Sequence, residues 1–459
     1  MVVVGADELR VAVIGAGPSG FYVAEQLLKK AAVPVSVDVF DRLPTPWGLV
    51  RSGVAPDHPT IKSVSRVFEK TAADARFRFY GNVEFGVDLT RADLASYYHA
   101  VVYAVGAQTD RRLGIPGEDL PGCYAAVDFV AWYNGHPDCS RRQFDLSGKR
   151  AILIGNGNVS IDVARILCSD VASLGGTDIA NHALNALRDS AIRQVVVCGR
   201  RGPEQAAFTT PELKELCGLP GVRVVASRPE VGMPTGENPH SNIEILRTHA
   251  IERGDPQPRE IEFRFLLSPV EIRGAGRVEE VEFDVNELVY DGDVARVKPS
   301  GRREIIPCDL LIRSIGYRGV LLPDVPFDEP TGRIPNVAGR VMEHDRPAAG
   351  QYCVGWVKRG PSGVIGTNRK CATETVSGLL ADYVEGALGR PVNPAPEAID
   401  ELLAGRGIKV VDQAGWLRID SFERSLGEQA SRPRVKLCRR DALLEQASSG
   451  ASAAGRSAS

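Results

Sequence analysis

The sequence predicts an α/β protein made of two similar strand–helix–strand units and a small C-terminal module. Two observations carry this prediction. A buried strand, a glycine-rich turn and an apolar helix follow one another at residues 9–30, and the same order returns at residues 149–168. A second apolar strand follows each helix, which is the order of elements in a sheet of parallel strands.

The first turn carries a phosphate-binding pattern. Gly15, Gly17 and Gly20 fit G-x-G-x-x-G, in which the first glycine turns the chain, the second admits a pyrophosphate and the third lets helix and strand pack. Asp41 ends the next strand, where an acid accepts hydrogen bonds from a ribose diol. An acid-paired site at the start of the chain suits FAD.

The second turn, GNGNVS at residues 155–160, has Ser160 in place of the third glycine, so we expect its helix to lie slightly further out. The following strand ends at Arg200 and Arg201 instead of an acid. Paired guanidinium groups bind a 2′-phosphate through charge-assisted hydrogen bonds, which favours NADP(H) over NAD(H). The predicted NADP(H) contacts here are Asn156, Gly157, Asn158, Val159, Arg200 and Arg201.

Composition and charge exclude several classes of protein. The chain has 459 residues, 43% of them hydrophobic, and a net charge of -3, which argues against disorder and against a general nucleic-acid or membrane-surface binder. None of the nine cysteines forms a C-x-x-C pair, so no redox-active dithiol, cysteine-ligated iron–sulfur cluster of the usual spacing or zinc ribbon is expected. No metal-binding residues are predicted. Scattered thiols, no membrane-length apolar run and no room for a signal or transit peptide predict a cytoplasmic protein without a membrane span.

Two dinucleotide sites without a dithiol predict an oxidoreductase in which a hydride passes from NADPH to a tightly held FAD. Two other functions stay open at this point. One is an FAD- and NADPH-dependent monooxygenase, and the other is a non-catalytic flavoprotein that senses NADP(H).

The order of elements predicts that the NADP-binding domain is inserted in the FAD-binding domain. Residues 169–192 predict a helical insert, residues 259–298 antiparallel strands, and residues 309–317 a strand that returns the chain to the first sheet. We expect an FAD-binding domain at 1–108 and 319–459, an NADP-binding domain at 109–318, a small C-terminal module at about 391–447 and a disordered tail at about 448–459.

Three further segments carry a specific resemblance. They are LPTPWGLVRSGVAPDHPTIK (43–62), CGRRGPEQAAFTTPELKEL (198–216) and VGWVKRGPSGVIGTN (354–368). Together they resemble the adrenodoxin-reductase-type ferredoxin–NADP reductases, within the larger glutathione-reductase-like fold, and the resemblance runs from about residue 9 to about 445.

The resemblance implies the roles of further residues. It places His58 and Glu215 near the flavin and nicotinamide rings as the catalytic pair, and Gly363, Val364 and Ile365 at the start of a helix facing the flavin. The other implied FAD contacts are Ser19, Trp47, Gly48, Leu49, Val83 and Trp356. The implied NADP(H) contacts are Arg111, Glu212 and Gly363.

The resemblance also implies an electron acceptor, a small acidic ferredoxin-type iron–sulfur protein that could in turn feed a cytochrome P450. The oligomeric state stays open, and a monomer is plausible. Candidate docking cations are Arg42, Arg51, Lys62, Arg66, Arg247, Lys358 and Arg359.

Overall fold

A computed structural model describes residues 8–226, 241–249, 258–292, 294–363 and 365–449. The strands, in chain order, are β1 (Leu9–Ile14), β2 (Val35–Asp41), β3 (Phe77–Gly81), β4 (Ala100–Tyr103), β5 (Thr109–Asp110), β6 (Cys123–Ala125), β7 (Arg150–Ile154), β8 (Gln194–Cys198), β9 (Val222–Ala226), β10 (Arg259–Arg264), β11 (Leu267–Arg273), β12 (Glu280–Asp291), β13 (Val294–Pro307), β14 (Leu310–Arg313), β15 (Tyr317–Arg318), β16 (Asn336–Val337), β17 (Arg340–Glu343) and β18 (Arg346–Cys353).

The helices, in chain order, are α1 (Pro18–Lys30), α2 (Leu49–Ser52), α3 (Pro59–Lys62), α4 (Ser65–Ala72), α5 (Arg91–Tyr97), α6 (Ala126–Tyr133), α7 (Asn158–Cys168), α8 (Val171–Gly175), α9 (Asn181–Arg188), α10 (Thr210–Cys217), α11 (Ser241–His249), α12 (Trp356–Arg359), α13 (Thr367–Val384), α14 (Pro396–Gly405), α15 (Gln413–Gln429) and α16 (Arg440–Ser448). A short 3-10 helix covers Pro203–Gln205. Among the described residues, no helix is long and apolar enough to cross a membrane.

The chain divides into two compact units, of which unit 1 is Met1–Thr109 with Tyr317–Ser459 and unit 2 is Asp110–Gly316. In unit 1 the strand order is β16-β17-β18-β4-β1-β2-β3, and the five strands from β18 to β3 run parallel. Every residue of β1 is buried, as expected of a strand covered on both faces. Helices α1 and α13 pack together against this sheet, and α15 of the C-terminal module packs on β3.

Unit 2 holds a second parallel sheet, in the order β6-β14-β7-β8-β10-β9. A separate antiparallel sheet is formed by β11, β12 and β13. The helical insert predicted after α7 is present as α8 and α9.

Two predictions about strands are wrong. The first strand of the predicted antiparallel region, β10, runs parallel between β8 and β9. Buried and partly buried residues alternate along β10. Such alternation indicates which face of a strand is covered, but it does not indicate whether the neighbouring strand runs parallel or antiparallel. The strand β14, predicted to join the first sheet, lies between β6 and β7 of unit 2, and the chain enters unit 1 again only at Tyr317. The predicted disordered tail lies mostly outside the described residues.

Candidate functional site

The first glycine turn of unit 1 depends on a residue without a side chain. Gly15 has a φ of +110°, and a Cβ at this position would lie 2.7 Å from the carbonyl oxygen of Ala104, the residue after β4. Its amide donates to the carbonyl of Phe40 on β2 at 2.7 Å. A Cβ on Gly20 would lie 2.1 Å from the carbonyl oxygen of Gly15. Glycine is therefore required where the turn meets the neighbouring strand and where α1 meets the turn.

This packing leaves the amino end of α1 open. The N-cap residue is Gly17, Pro18 occupies the first turn, and no described side chain caps the helix. The first-turn amide groups and the helix dipole together favour an anion at this position.

Asp41 lies beside the same turn. Its carboxylate oxygens accept hydrogen bonds from the backbone amides of Ala16 (2.8 Å) and Leu43 (2.9 Å). Burial raises the pKa of Asp41, and these two amides oppose that shift only in part. The carbonyl oxygen of Asp41 also accepts from the amide of Val83, so the structure brings these two predicted residues together.

The turn at Trp47 and Gly48 lies directly against the glycine loop. The amide of Trp47 donates to Ala16 O at 2.8 Å, and a Cβ on Gly48 would lie 2.9 Å from the Cα of Gly17. Trp47 is buried and has a φ of +83°, a conformation that residues with a Cβ seldom adopt. Leu49 follows at the start of α2.

A second turn reaches the glycine loop after β18. A Cβ on Gly355 would lie 2.1 Å from the Oγ of Ser19, so this turn also requires glycine. The indole Nε1 of the next residue, Trp356, is buried and has no partner among the described residues, and its ring stacks on Tyr317 at 5.5 Å. An open helix end, an acid at the end of β2 and a buried donor without a partner fit a flavin dinucleotide.

The helix predicted to open at residues 363–365 begins four residues later. Gly363 has a φ of +76°, Ile365 is in the following turn, and α13 begins at Thr367. These predicted residues therefore precede the helix instead of forming its first turn. Val364 lies outside the described residues.

Unit 2 repeats the geometry of the first turn. Gly155 has a φ of +120°, and a Cβ there would lie 2.1 Å from Ser314 O, the carbonyl after β14. Its amide donates to Cys198 O at the end of β8. Gly157 has open space around its Cβ position, and no described side chain caps α7. Ser160 is fully buried at the third position.

The segment before α10 folds over this second loop. The carbonyl of Asn156 accepts hydrogen bonds from the amides of Ala207 and Phe208, both at 3.0 Å. The side-chain oxygen of Asn158 accepts from the amide of Thr209 at 2.8 Å, and Val159 is partly buried beside it. A Cβ on Gly199 would lie 2.6 Å from Asn156 Nδ2, so the loop reaches the residue that precedes the two arginines.

The side chains of the two arginines after β8 carry positive charges that no described residue neutralises. Within the described parts of the chain, neither Arg200 nor Arg201 has a side-chain hydrogen bond or ion pair, and the same holds for Arg111. Backbone contacts hold this corner, because Arg200 O accepts from Asn286 Nδ2 and Arg201 O accepts from Leu266 N. The backbone is therefore ordered while the guanidinium groups are available to a phosphate.

The two predicted catalytic residues lie in different units. His58 is 8% exposed in unit 1 and directly precedes α3. Glu215 is on α10 in unit 2, where Arg165 Nη1 lies 3.5 Å from its Oε1. Sequence reasoning missed Arg165, which is fully buried on α7 and also bonds Asp162 at 2.5 Å. The carboxylate of Glu215, although half exposed, thus has a fixed positive partner. Glu212 is partly buried one turn earlier.

Two of the candidate docking cations are buried. Arg51 is 7% exposed and pairs with Glu423, and Lys358 is 9% exposed and pairs with Glu374. Neither charge is available to a partner protein, so these two predictions are wrong. A sequence shows that a residue is charged but not which acid the fold places against it.

Comparison with known proteins identifies the family. A model of the pyridine nucleotide-disulphide oxidoreductases matches residues 9–322. The chain is 51% identical over 451 residues to NADPH-ferredoxin reductase FprA of Mycobacterium tuberculosis, covering 95% of this chain and 98% of that protein. This chain belongs to the pyridine nucleotide-disulphide oxidoreductase family.

More distant and structural relatives agree with this assignment. Mitochondrial NADPH:adrenodoxin oxidoreductase of Salvelinus fontinalis is 43% identical over 457 residues, covering 94% of this chain and 90% of the relative. The solved structure of Mycobacterium tuberculosis FprA in complex with NADPH matches with a TM-score of 0.91 at 50% identity, covering 96% of this chain and 100% of that one. The resemblance to adrenodoxin-reductase-type proteins and the predicted fold class are confirmed.

Replacing Asp41 by Ala should weaken FAD binding by at least about tenfold, because a hydrogen bond to a charged acceptor contributes about 1.5–3 kcal/mol. The dissociation constant is measured by titrating apoprotein with FAD and following flavin fluorescence. In the parent, binding should weaken on acidification at a higher pH than an exposed aspartate would cause, because the pKa of Asp41 is raised.

The matched control is Asp74→Ala, which removes a surface acid of the same unit that pairs with Arg76. This variant should bind FAD as the parent does. Parent-like affinity in Asp41→Ala would show that the acid only orders the turn.

Proposed function

We propose that this chain is an NADPH–ferredoxin reductase, which uses NADPH to reduce an iron–sulfur protein through a bound FAD. The observation that carries the proposal is the likeness, over nearly the whole chain, to proteins named NADPH-ferredoxin reductase and NADPH:adrenodoxin oxidoreductase. The arginines after β8, whose side chains have no partner in the described parts of the chain, support NADPH as the electron donor.

The two cofactors divide between the two units. FAD occupies the glycine loop of unit 1, and NADP(H) occupies the corresponding loop of unit 2. Bound FAD supplies the chemistry, since it accepts a hydride from NADPH and releases electrons one at a time.

The residues of unit 1 bind and orient the flavin. The open end of α1 receives the pyrophosphate, and Asp41 accepts from the ribose. The indole N–H of Trp356 donates to the flavin, which gives this buried group the partner it otherwise lacks.

The residues of unit 2 select and orient the coenzyme. Arg200 and Arg201 bind the 2′-phosphate, and the turn at Gly157 leaves room for the pyrophosphate. Glu215, held by Arg165, and His58 control protonation close to the reacting rings.

We further propose that the acceptor is a small acidic ferredoxin that supplies a cytochrome P450, and that this protein is cytoplasmic. The candidate cations of unit 1 that are not buried stay candidates for docking this acceptor: Arg42, Lys62, Arg66 and Arg359. Arg247 is a separate candidate in unit 2.

Steady-state reduction of cytochrome c by NADPH, with and without added ferredoxin, tests the proposed activity. The rate should depend on NADPH and should rise several-fold when ferredoxin is present. NADPH oxidation that is insensitive to ferredoxin and yields peroxide or an oxygenated product would instead indicate a monooxygenase. A yellow protein that oxidises no NADPH would indicate a sensor.

Replacing both Arg200 and Arg201 by Ala should raise KM for NADPH by at least about tenfold, since about 1.4 kcal/mol of lost binding gives that factor. Turnover with NADH should change little, because NADH has no 2′-phosphate. Steady-state kinetics with each coenzyme measure both effects. Equal loss with the two coenzymes would mean that the arginines are structural.

Replacing His58 by Gln should slow flavin reduction by about tenfold, since glutamine keeps a hydrogen bond but cannot exchange a proton as an imidazole does. Glu215→Ala should slow the same step without changing FAD content. Anaerobic stopped-flow reduction by NADPH measures the rate. Parent rates in both variants would remove the two residues from the mechanism.

A further inference from the structure

The C-terminal module contacts the loop after β2 through a buried ion pair. Glu423 on α15 is fully buried, and its carboxylate accepts hydrogen bonds from both terminal nitrogens of Arg51, at 2.8 and 2.5 Å. It also accepts from Arg434 Nη1 at 3.1 Å and from the amide of Leu437 at 2.8 Å. Such bidentate pairing is geometrically specific, so each partner fixes the other's orientation.

Aromatic rings connect this ion pair to Trp47. The guanidinium of Arg51 lies 5.6 Å from the ring centre of Trp416, and that of Arg434 lies 5.6 Å from the ring centre of Trp47. The two tryptophans meet edge to face with their ring centres 4.9 Å apart. We call Trp47, Arg51, Trp416, Glu423 and Arg434 the Glu423 cluster.

Glu423 carries the negative charge that its pairing with two arginines requires. Burial alone would raise the pKa of Glu423, but the charge and hydrogen bonds of Arg51, and then the charge of Arg434, outweigh it and hold the pKa below its usual range. The carboxylate is therefore ionised, and Lys436 fixes the same loop from behind by donating to Arg51 O at 3.1 Å.

One member of the Glu423 cluster, Trp47, has a strained backbone conformation. Trp47 has a φ of +83°, and the surrounding packing must hold such a conformation because the backbone does not favour it. The amide of Trp47 bonds Ala16 O in the glycine loop, and Gly48 touches Gly17. Any relaxation of Trp47 would thus move the backbone that faces the dinucleotide.

We propose that the C-terminal module completes the FAD site, with Glu423 as a positioning residue that holds the Trp47–Gly48 turn through Arg51 and Trp416. The inference rests on the proposed binding of FAD by unit 1. It assigns a role in cofactor binding to a module that contains none of the predicted site residues.

The test is Glu423→Gln in the full chain, which keeps the size of the side chain and removes its charge. The control is Asp382→Asn, because Asp382 is also bidentate to an arginine, Arg340 at 2.7 and 2.8 Å, and bonds Tyr352 at 2.6 Å in the same unit. Asp382 lies in the last turn of α13, at the end of the helix that is further from the glycine loop. Both variants lose one charge from an acid–arginine pair.

Three quantities are measured for each variant: the FAD dissociation constant, the thermal unfolding midpoint of the apoprotein, and the near-ultraviolet circular dichroism of the tryptophans. Glu423→Gln should weaken FAD binding by at least about tenfold and change the tryptophan signal. Asp382→Asn should bind FAD within about twofold of the parent, even if its unfolding midpoint falls as far as that of Glu423→Gln. If Glu423→Gln does not fold, Trp416→Phe, which keeps the ion pair and removes the indole contact with Trp47, should weaken FAD binding in the same direction.

Parent-like FAD affinity in folded Glu423→Gln, or equal weakening in the control variant, would overturn the inference and leave the cluster a structural one. A parent protein that binds no FAD would overturn the proposed function itself, so the two failures are distinguishable.

Discussion

The close approach of a glycine to a neighbouring strand is the constraint on which both candidate sites depend. Gly15 and Gly155 each have a positive φ, and each leaves no room for a Cβ against a carbonyl at the end of the adjacent parallel strand, Ala104 O or Ser314 O. This approach turns the chain sharply from strand to helix. No described side chain caps the amino ends of α1 and α7, which follow these turns, so backbone amides and the helix dipole favour a pyrophosphate there.

The two units share this geometry and differ in the charge beside it. The strand after the first helix ends at Asp41, an acceptor held by two backbone amides. The corresponding strand of unit 2 is followed, after Gly199, by Arg200 and Arg201, whose side chains have no partner among the described residues. A difference of a few side chains on one backbone plan thus separates a site that suits a ribose diol from one that suits a 2′-phosphate.

Sequence patterns predicted the structure best where a feature depends on a short segment of the chain. The glycine turns, their helices and the acid that ends β2 are at the predicted positions, and Arg200 and Arg201 follow β8 closely. Predictions from these patterns failed where the structure of a residue or strand depends on a partner that is distant in the sequence. The alternation in β10 did not give the direction of its neighbours, and the charge of Arg51 did not reveal Glu423, which is buried against it. Arg165 was missed for the same reason, since only the fold places it beside Glu215.

By itself the sequence determined the fold class and the two glycine turns, and it predicted the coenzyme that each turn binds, because turn conformation, strand burial and charge near a strand end are properties of short segments. Only the tertiary structure decided which sheet β14 joins, where α13 begins and how Trp47 is held in a conformation its backbone disfavours. The placement of β14 and the conformation of Trp47 depend on contacts between residues more than a hundred positions apart, such as Arg51 with Glu423, and no local pattern encodes the burial that makes such a pair specific.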